Sequence, residues 1–158
     1  MTKEIPLTQG KTAIVDDDMY EYLNQWKWCA HKHRSTFYAV RGVKLRPFQK
    51  IIKMHRLILN DPIGLLIDHQ DGNGLNNTRE NLRICTNVEN LRNRGRQTNN
   101  KSGFKGVSWN KNKQKYHARI KAQGKYVHIG YYDNPIDAAK AYDEAAMKYF
   151  WEFARTNF

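Results

Sequence analysis

The stretch IDHQDGNGLNN, at residues 67–77, joins an apolar run to a loop rich in glycine and asparagine. The run before it, GLLID at 64–68, is short and apolar, which predicts a buried strand that ends on an acidic residue. A second apolar run, NLRIC at 81–85, is followed by the capping-box sequence TNVE, so a helix is predicted from Thr86 to about Asn93. The stretch therefore lies in a predicted order of strand, polar loop, strand and helix.

Asp68 and His69 lie side by side where the first of these strands ends. A carboxylate is a hard oxygen ligand suited to Mg²⁺. An imidazole, with a reference pKa of about 6.5, is suited to taking a proton from water. Neighbouring strand residues face opposite sides, so the two can act together only where the chain bends. Gly72 and Gly74 allow such a bend.

Several asparagines surround this pair. Asn81 begins the second strand, and its amide could fix either the loop or the imidazole tautomer. Asn90 falls near the first turn of the predicted helix, where its amide oxygen would be a neutral hard ligand. Three more are ambiguous, with turn formation as the favoured interpretation: Asn73, Asn76 and Asn77.

The positive charge of the chain is concentrated in one block. The formal net charge is +12, and residues 90–128 contain many lysines and arginines but no aspartate or glutamate. This distribution predicts a polyanionic partner, and nucleic acid is favoured over a merely solvated surface. An anionic membrane is disfavoured because the block shows strand-like alternation and no basic amphipathic helix.

The remaining chain predicts a mixed fold. Residues 12–50 read as short strands, and the segment 51–59 has mixed signals, with His55 facing either a core, which is favoured, or a phosphate. Beyond residue 103, three strand-like segments precede a helix that begins after Asn134, with Pro135 in its first turn. Cys29 and Cys85 are not in a C-x-x-C pair, so no structural zinc is predicted.

The residues IDHQDGNGLNNTRENLRICTNVEN resemble the HNH, or ββα-metal, nuclease motif in the form found in phage homing endonucleases. The resemblance implies that His69 activates water and that Asn81 orients His69. It also implies that Asp68 and Asn90 hold one divalent ion, with Asn90 in place of the commoner histidine. An amide in place of an imidazole favours Mg²⁺ or Mn²⁺ over Zn²⁺. The implied products carry 5′-phosphate and 3′-hydroxyl ends.

The segments GFKGVSW, YHARIKA and HIGYYDNPIDAAKAYDEAA, with the final NF, resemble the DNA-binding domain of plant ethylene-response factors. In that family a three-stranded sheet lies in the major groove, and side chains on its outer face contact phosphates and bases. This chain has Arg119 where plant members have an acid, and Ser108 and His128 where they have arginine and tryptophan. The resemblance therefore implies the docking mode but not the plant target sequence.

The residues predicted to contact DNA fall into three groups. Two lie near the candidate site, with a solvated position as the alternative: Arg79 and Arg83. Four lie in or beside a basic linker: Arg92, Arg94, Arg96 and Lys101. Six belong to the sheet module: Lys105, Ser108, Arg119, Lys121, Tyr126 and His128.

The predicted fold class is α+β, with a strand-rich N-terminal region that leads into a ββα-metal nuclease core. The predicted domains are a nuclease domain at 1–93, a basic linker at 94–102, and a DNA-binding domain at 103–158, in which a three-stranded antiparallel sheet packs on one helix.

These predictions together indicate a site-specific, metal-dependent DNA endonuclease of the homing type. Double-stranded DNA is the expected partner, with no membrane, no small-molecule cofactor and no oligomer required. The N-terminus has no apolar run typical of a signal peptide, so a cytoplasmic location is expected, in a bacterial host cell if a phage encodes the chain. Two alternatives stay open: a DNA-binding regulator with an inactive nuclease core, and an intron-RNA-binding protein.

Overall fold

The structure is a computed structural model, and it describes residues 1–33, 36–45 and 47–158. The chain divides into two compact units, Met1–Asn90 and Leu91–Phe158, called the first and second unit below. The assignment of nuclease, linker and DNA-reading roles to particular ranges stays a prediction.

The first unit begins with a hairpin and a helix. β1 (Thr2–Pro6) pairs antiparallel with β2 (Thr12–Asp16), and α1 (Asp17–Asn24) follows directly. The prediction of strands throughout residues 12–50 is wrong for α1. The acidic side chains of its first turn favour the positive end of a helix, and Leu23 is fully buried. Positions 34, 35 and 46 of that predicted strand region lie outside the described residues.

A three-stranded antiparallel sheet follows, in the order β3 (Cys29–His33), β4 (Thr36–Leu45) and β5 (Phe48–Lys53). Next comes α2 (Met54–Ile58), so the mixed signals of segment 51–59 arise because a strand passes directly into a helix. The core of the unit is formed by side chains from these two sheets, from α1 and α2, and from the strand pair that follows them: Ile5, Ala13, Val15, Leu23, Trp28, Ala39, Met54, Ile58 and Leu82.

The predicted order of strand, loop, strand and helix is confirmed at the end of the first unit. β6 (Leu66–His69) pairs antiparallel with β7 (Leu82–Cys85), and α3 (Asn87–Arg92) comes next. The predicted capping box is also confirmed. Thr86 Oγ1 accepts a hydrogen bond from the Glu89 amide at 3.3 Å, and the Glu89 carboxylate accepts one from the Thr86 amide at 2.8 Å.

The second unit contains the predicted three-stranded antiparallel sheet, formed by β8 (Val107–Asn110), β9 (Lys115–Ala122) and β10 (Lys125–Tyr132). The predicted helix is α4 (Pro135–Phe150), and Asn134 caps it by accepting a hydrogen bond from the Ile136 amide at 2.8 Å. One face of the sheet packs on α4 through residues that include Ala118, Ile120 and Tyr142. The other face is turned away from this core.

Within the described part of the chain, no helix combines the length and the apolar character that crossing a membrane requires.

Candidate active site and nucleic-acid interface

Asp68 and His69 are the last two residues of β6, and only 7% and 5% of their surfaces are exposed. Burying a carboxylate and an imidazole is costly unless other groups satisfy them. The surrounding residues therefore decide what this pair can do.

His69 is held by an asparagine that the sequence left ambiguous. Asn77 is fully buried, and its Oδ1 lies 3.5 Å from His69 Nε2, at the long end of the hydrogen-bond range. Asn77 Nδ2 donates to the Leu75 carbonyl at 3.0 Å, which turns the amide oxygen toward the imidazole. An oxygen opposite Nε2 favours the tautomer that carries its proton there, so Nδ1 has the basic lone pair.

The backbone of Asn77 is itself anchored to the opening hairpin. Its amide donates to the Ile14 carbonyl at 2.7 Å, and the Ile14 amide donates to the Leu75 carbonyl at 2.9 Å. The loop after β6 is thus bonded to β2, and this contact brings Asn77 to His69. The sequence favoured turn formation for Asn77 and did not indicate its contact with His69. That contact depends on Ile14, which is far from Asn77 in the chain.

Two aromatic rings pack against the imidazole of His69. The His55 ring is 5.0 Å from the His69 ring and nearly perpendicular to it, and the Tyr38 ring is 5.7 Å away. His55 is only 5% exposed, so its favoured placement in a core is confirmed, but it also belongs to the candidate site. Its Nδ1 is buried and has no hydrogen-bond partner among the described residues.

Burial keeps both imidazoles neutral at pH 7. Burial, with smaller contributions from His69 and nearby cations, lowers the pKa of His55 to about 3. Burial also lowers the pKa of His69, against the opposing effects of the Asn77 hydrogen bond and nearby carboxylates. A neutral imidazole is the form that can accept a proton.

Asp71, which the sequence reasoning missed, organises the loop between β6 and β7. Its carboxylate accepts hydrogen bonds from the Asn73 amide and from the side chains of Asn76 and Asn81, at 2.7 to 3.0 Å. These bonds keep the pKa of Asp71 low despite the opposing effect of burial. The signal was present in the sequence, because an aspartate two residues before an asparagine favours such a turn.

Asn81 lies on this loop. Its amide group donates to Asp71 and to the Asn76 carbonyl, and accepts from the Asp71 amide at 3.1 Å. The sequence allowed Asn81 to fix either the loop or the imidazole tautomer, and these contacts agree with fixing the loop. Any orientation of His69 by Asn81 would act through the loop that carries Asn77.

The glycines of the loop meet two different requirements. Gly72 has a φ of +77°, the left-handed conformation that glycine adopts at little cost. At Gly74, an added Cβ would collide with the Phe37 carbonyl and the Tyr38 ring. The predicted bend after His69 is therefore present, and close packing against β4 accounts for the second glycine.

Asp68 forms an ion pair with Arg83, which lies opposite it on β7, with Nη2 at 2.6 Å from Oδ2. Both side chains are about nine-tenths buried. A carboxylate has two oxygens and about four acceptor sites, so this contact does not use up its capacity. Asn90 is half-buried on α3. A carboxylate and an amide oxygen are ligand types that suit Mg²⁺ or Mn²⁺, and the sharing of one ion by Asp68 and Asn90 stays a prediction.

The other arginine predicted beside the site, Arg79, makes ion pairs with Asp18 at 2.7 Å and with Asp16 at 3.7 Å. All three side chains remain partly or largely exposed. Arg79 and Arg83 thus both have carboxylate partners within the chain, and their contact with DNA stays a prediction.

The predicted linker contacts lie in the second unit or at its start. Arg94, Arg96 and Lys101 are exposed and belong to no helix or strand. Arg92 ends α3, and its guanidinium lies 4.8 Å from the Phe150 ring. Lys105 differs from these, because its ammonium donates to the Arg92 carbonyl and burial lowers its pKa to about 8.

Five of the six predicted sheet contacts share one face of the second unit, and the sixth, Lys105, precedes β8. Residues 118, 120 and 122 of β9 are buried toward α4, so Arg119 and Lys121 point the other way. Tyr126 lies opposite Lys121, its ring 4.9 Å from the Arg119 guanidinium, and it is 67% exposed. Ser108 and His128 are exposed too. We call this surface the outer face: Ser108, His117, Arg119, Lys121, Tyr126, His128 and Tyr131.

Comparisons with known proteins identify a domain within the second unit. Residues 102–150 match the AP2 domain, a DNA-binding domain, which supports the predicted role of the second unit. Protein 3.8 of Escherichia phage T7 is 42% identical over 64 residues, which is 40% of this chain and 53% of the phage protein. That match thus spans about half the length of the phage protein.

A second relative covers nearly the whole chain. A protein of Acanthamoeba polyphaga mimivirus, named as an uncharacterized HNH endonuclease, is 30% identical over 152 residues. The match includes 94% of this chain and 76% of the mimivirus protein. Residues 102–150 match the AP2 domain, and similarity of this extent to the mimivirus protein shows that the chain belongs to the HNH endonuclease family.

Proposed function

We propose that the protein is a site-specific, divalent-metal-dependent DNA endonuclease of the homing type. His69 acts as the general base, Asp68 and Asn90 hold one Mg²⁺ or Mn²⁺ ion, and the second unit selects the site on double-stranded DNA. The observation that carries the proposal is the buried, neutral imidazole of His69, held by Asn77 beside the Asp68 carboxylate.

His69 supplies the base that phosphodiester hydrolysis requires. Its Nδ1 lone pair takes a proton from the attacking water, while the proton on Nε2 stays directed at Asn77 Oδ1. Tyr38 and His55 pack against the ring and limit its rotation. A bound divalent ion would stabilise negative charge on the phosphate and on the leaving oxygen.

The second unit supplies the affinity that so small an active site lacks. Its outer face presents Arg119 and Lys121 with the exposed ring of Tyr126. Cations of this kind bind phosphates, and an arginine pairs well with guanine. Because the two units belong to one chain, binding by the second raises the local concentration of the first at the target.

Plasmid relaxation at low salt tests the proposal. Wild-type protein and His69→Ala are each incubated with supercoiled DNA in Mn²⁺, Mg²⁺ or EDTA. The matched control is His31→Ala, which removes an exposed imidazole from β3 of the same unit. We expect nicking or cutting by wild type and His31→Ala in metal only, and a loss of roughly 10²–10⁴-fold in His69→Ala.

Cleavage by His69→Ala at the wild-type rate would overturn the role of His69. The form of the product, nicked or linear, reports whether one strand or both are cut. A random-sequence DNA library, incubated under the same conditions, covers the case in which the plasmid lacks the target site.

The buried Asp68–Arg83 ion pair favours a second candidate, a DNA-binding regulator whose nuclease core is inactive. In that protein Arg83 would neutralise Asp68 permanently, so that no metal ion could be held. Sequence-selective binding with no cleavage of the library in any divalent ion would support this candidate over the nuclease.

A further inference from the structure

Two histidines form a hydrogen-bonded pair on the outer face. His117 Nε2 on β9 lies 2.8 Å from His128 Nδ1 on β10, and the ring centroids are 4.9 Å apart. A β-bulge between His128 and Gly130 shifts the strand register, so that Tyr131 lies opposite His117 and stacks on its ring at 4.8 Å. Hydrogen bonding and ring stacking therefore hold the pair in place on the surface that carries Arg119 and Lys121.

A hydrogen bond between two neutral imidazoles contains one proton. If His117 Nε2 donates this proton, then His117 Nδ1 has a lone pair and His128 Nε2 carries a proton. If His128 Nδ1 donates it instead, then His117 Nδ1 carries a proton and His128 Nε2 has the lone pair. In both cases the two outward nitrogens offer one hydrogen-bond donor and one acceptor. When the pair takes up a further proton, both outward nitrogens become donors.

The groups around the pair are mostly cationic or neutral. Ser108 lies opposite His117 on β8, Arg119 lies opposite His128, and Lys121 pairs with Tyr126 further along the strands. Lys113 lies 4.4 Å from the Tyr131 ring, and Lys115 forms an ion pair with Asp133.

Burial, followed by the positive charges of His128, Arg119 and Lys113, lowers the pKa of His117. Burial and these charges therefore favour the neutral form of the His117 imidazole in the protein free of DNA. DNA phosphates would add negative charge around it and favour uptake of a proton at moderately acidic pH.

We propose that the His117–His128 pair determines base specificity through its coupled nitrogens. The neutral pair contacts one acceptor and one donor on DNA. The donors in the major groove are the amino groups of adenine and cytosine. The protonated pair presents two donors, so at the same position it favours the keto oxygen of guanine or thymine. This inference rests on the proposed DNA-reading role of the outer face and is independent of cleavage.

The test is selection of duplex DNA from a random-sequence library by the full chain. Selection is carried out in EDTA, so that no DNA is cut, at about pH 5.5 and about pH 7.5, on either side of the histidine reference pKa. The variants are His117→Ala and His128→Ala, with His31→Ala as the control for loss of an exposed histidine elsewhere. Circular dichroism of each variant verifies its fold, and His128 is an exposed side chain outside the core.

We expect one base position at which wild type prefers adenine or cytosine at the higher pH and shifts roughly fivefold or more toward guanine or thymine at the lower pH. His31→Ala should keep this shift. His117→Ala and His128→Ala should each lose it while still binding DNA.

Identical base preferences of wild type at both pH values would overturn the inference, as would a shift that persists in both variants. Failure to bind DNA at either pH would overturn the DNA-reading role as well. Failure to cleave in Mn²⁺ would count against the nuclease alone, because the selection contains no metal.

Discussion

The two units carry their functional polar residues in opposite environments. In the first unit Asp68, His69 and Asn77 are each at most 7% exposed. In the second unit the outer face is open, and Tyr126 is 67% exposed beside Arg119 and Lys121. Catalysis gains from burial because a dry site holds groups in place and strengthens electrostatic interactions. Recognition of a large polyanion needs charges that the partner can reach.

This contrast separates the expected effects of mutations. Changes in the buried site should alter stability and cleavage rate with little effect on DNA affinity. Changes on the outer face should alter affinity and sequence preference with little effect on stability, since exposed substitutions away from special features are usually mild.

The largest effect is expected from Arg83→Met, which leaves the Asp68 carboxylate buried without this guanidinium. Breaking a buried ion pair from one side costs about 3–5 kcal/mol of unfolding free energy. The matched control is Arg79→Met, whose exposed pair with Asp18 should be worth about 1 kcal/mol or less. Chemical denaturation measures both.

Adding Mn²⁺ to this experiment tests whether Asp68 holds a metal ion. If Asp68 holds a divalent ion, then Mn²⁺ should restore part of the stability of Arg83→Met by binding to the folded state. Equal losses in the two arginine variants would contradict the view that burial distinguishes these ion pairs.

The next effect concerns Asn77→Ala, which removes the oxygen that faces His69 Nε2. Partners that orient a functional group in this way typically contribute about 10–100-fold to activity. Cleavage in Mn²⁺ should fall by that factor, while DNA binding in EDTA stays within a few-fold. Asn73→Ala, a change at an exposed turn residue of the same loop, is the control. Cleavage by Asn77→Ala as fast as by Asn73→Ala would count against the positioning role.

A third effect is acid sensitivity of the first unit. His55 has a pKa of about 3 when folded against a reference of 6.5, so between these values the unfolded chain binds more protons. Stability should therefore fall as the pH drops below 6.5, by about 2 kcal/mol at pH 5 from His55 alone. The lowered pKa of His69 acts in the same direction.

Thermal melting as a function of pH measures this loss. His55→Gln should flatten the pH dependence, and His31→Gln, at an exposed position, should leave it unchanged. A dependence of equal size in wild type and His55→Gln would show that His55 is not the group responsible.

The smallest effect is expected on the outer face. Arg119→Ala should weaken binding to the selected DNA by at least about 1 kcal/mol and relax the preference at one base pair, if the guanidinium reads a guanine. Lys140→Ala, an exposed change on α4 behind the sheet, should have no such effect. Fluorescence anisotropy at several salt concentrations measures the DNA affinity of both variants. Equal affinities of both variants would be inconsistent with docking through this face.

Local sequence patterns were sufficient for much of the fold. The capping box at Thr86 and the cap at Asn134 are contacts within three residues, so they can be read directly from the chain. The wrong prediction at α1 has one local cause and one tertiary cause. Its aromatic and acidic residues alternate well enough to resemble a strand, and the burial that selects the helix comes from the opening hairpin.

The candidate site was predictable only in part. Asp68 and His69 could be found because they are neighbours at a strand end. His55 and Asn77 could not be assigned roles, since their contacts with His69 depend on the packing of α2 and on bonds between the loop and β2. The ion pair of Arg83 with Asp68 depends on strand register, which the sequence did not specify.

The sequence by itself determined the order of elements from β6 onward, the position of the acid–histidine pair and the location of the positive charge, because each is a property of nearby residues or of composition. Only the tertiary structure decided which side chains surround His69 and which histidines meet on the outer face. His128 and Tyr131 would point to opposite sides of a regular strand, and the β-bulge between them puts both rings beside His117. Contacts of this kind arise from register and packing between segments that are far apart in the chain.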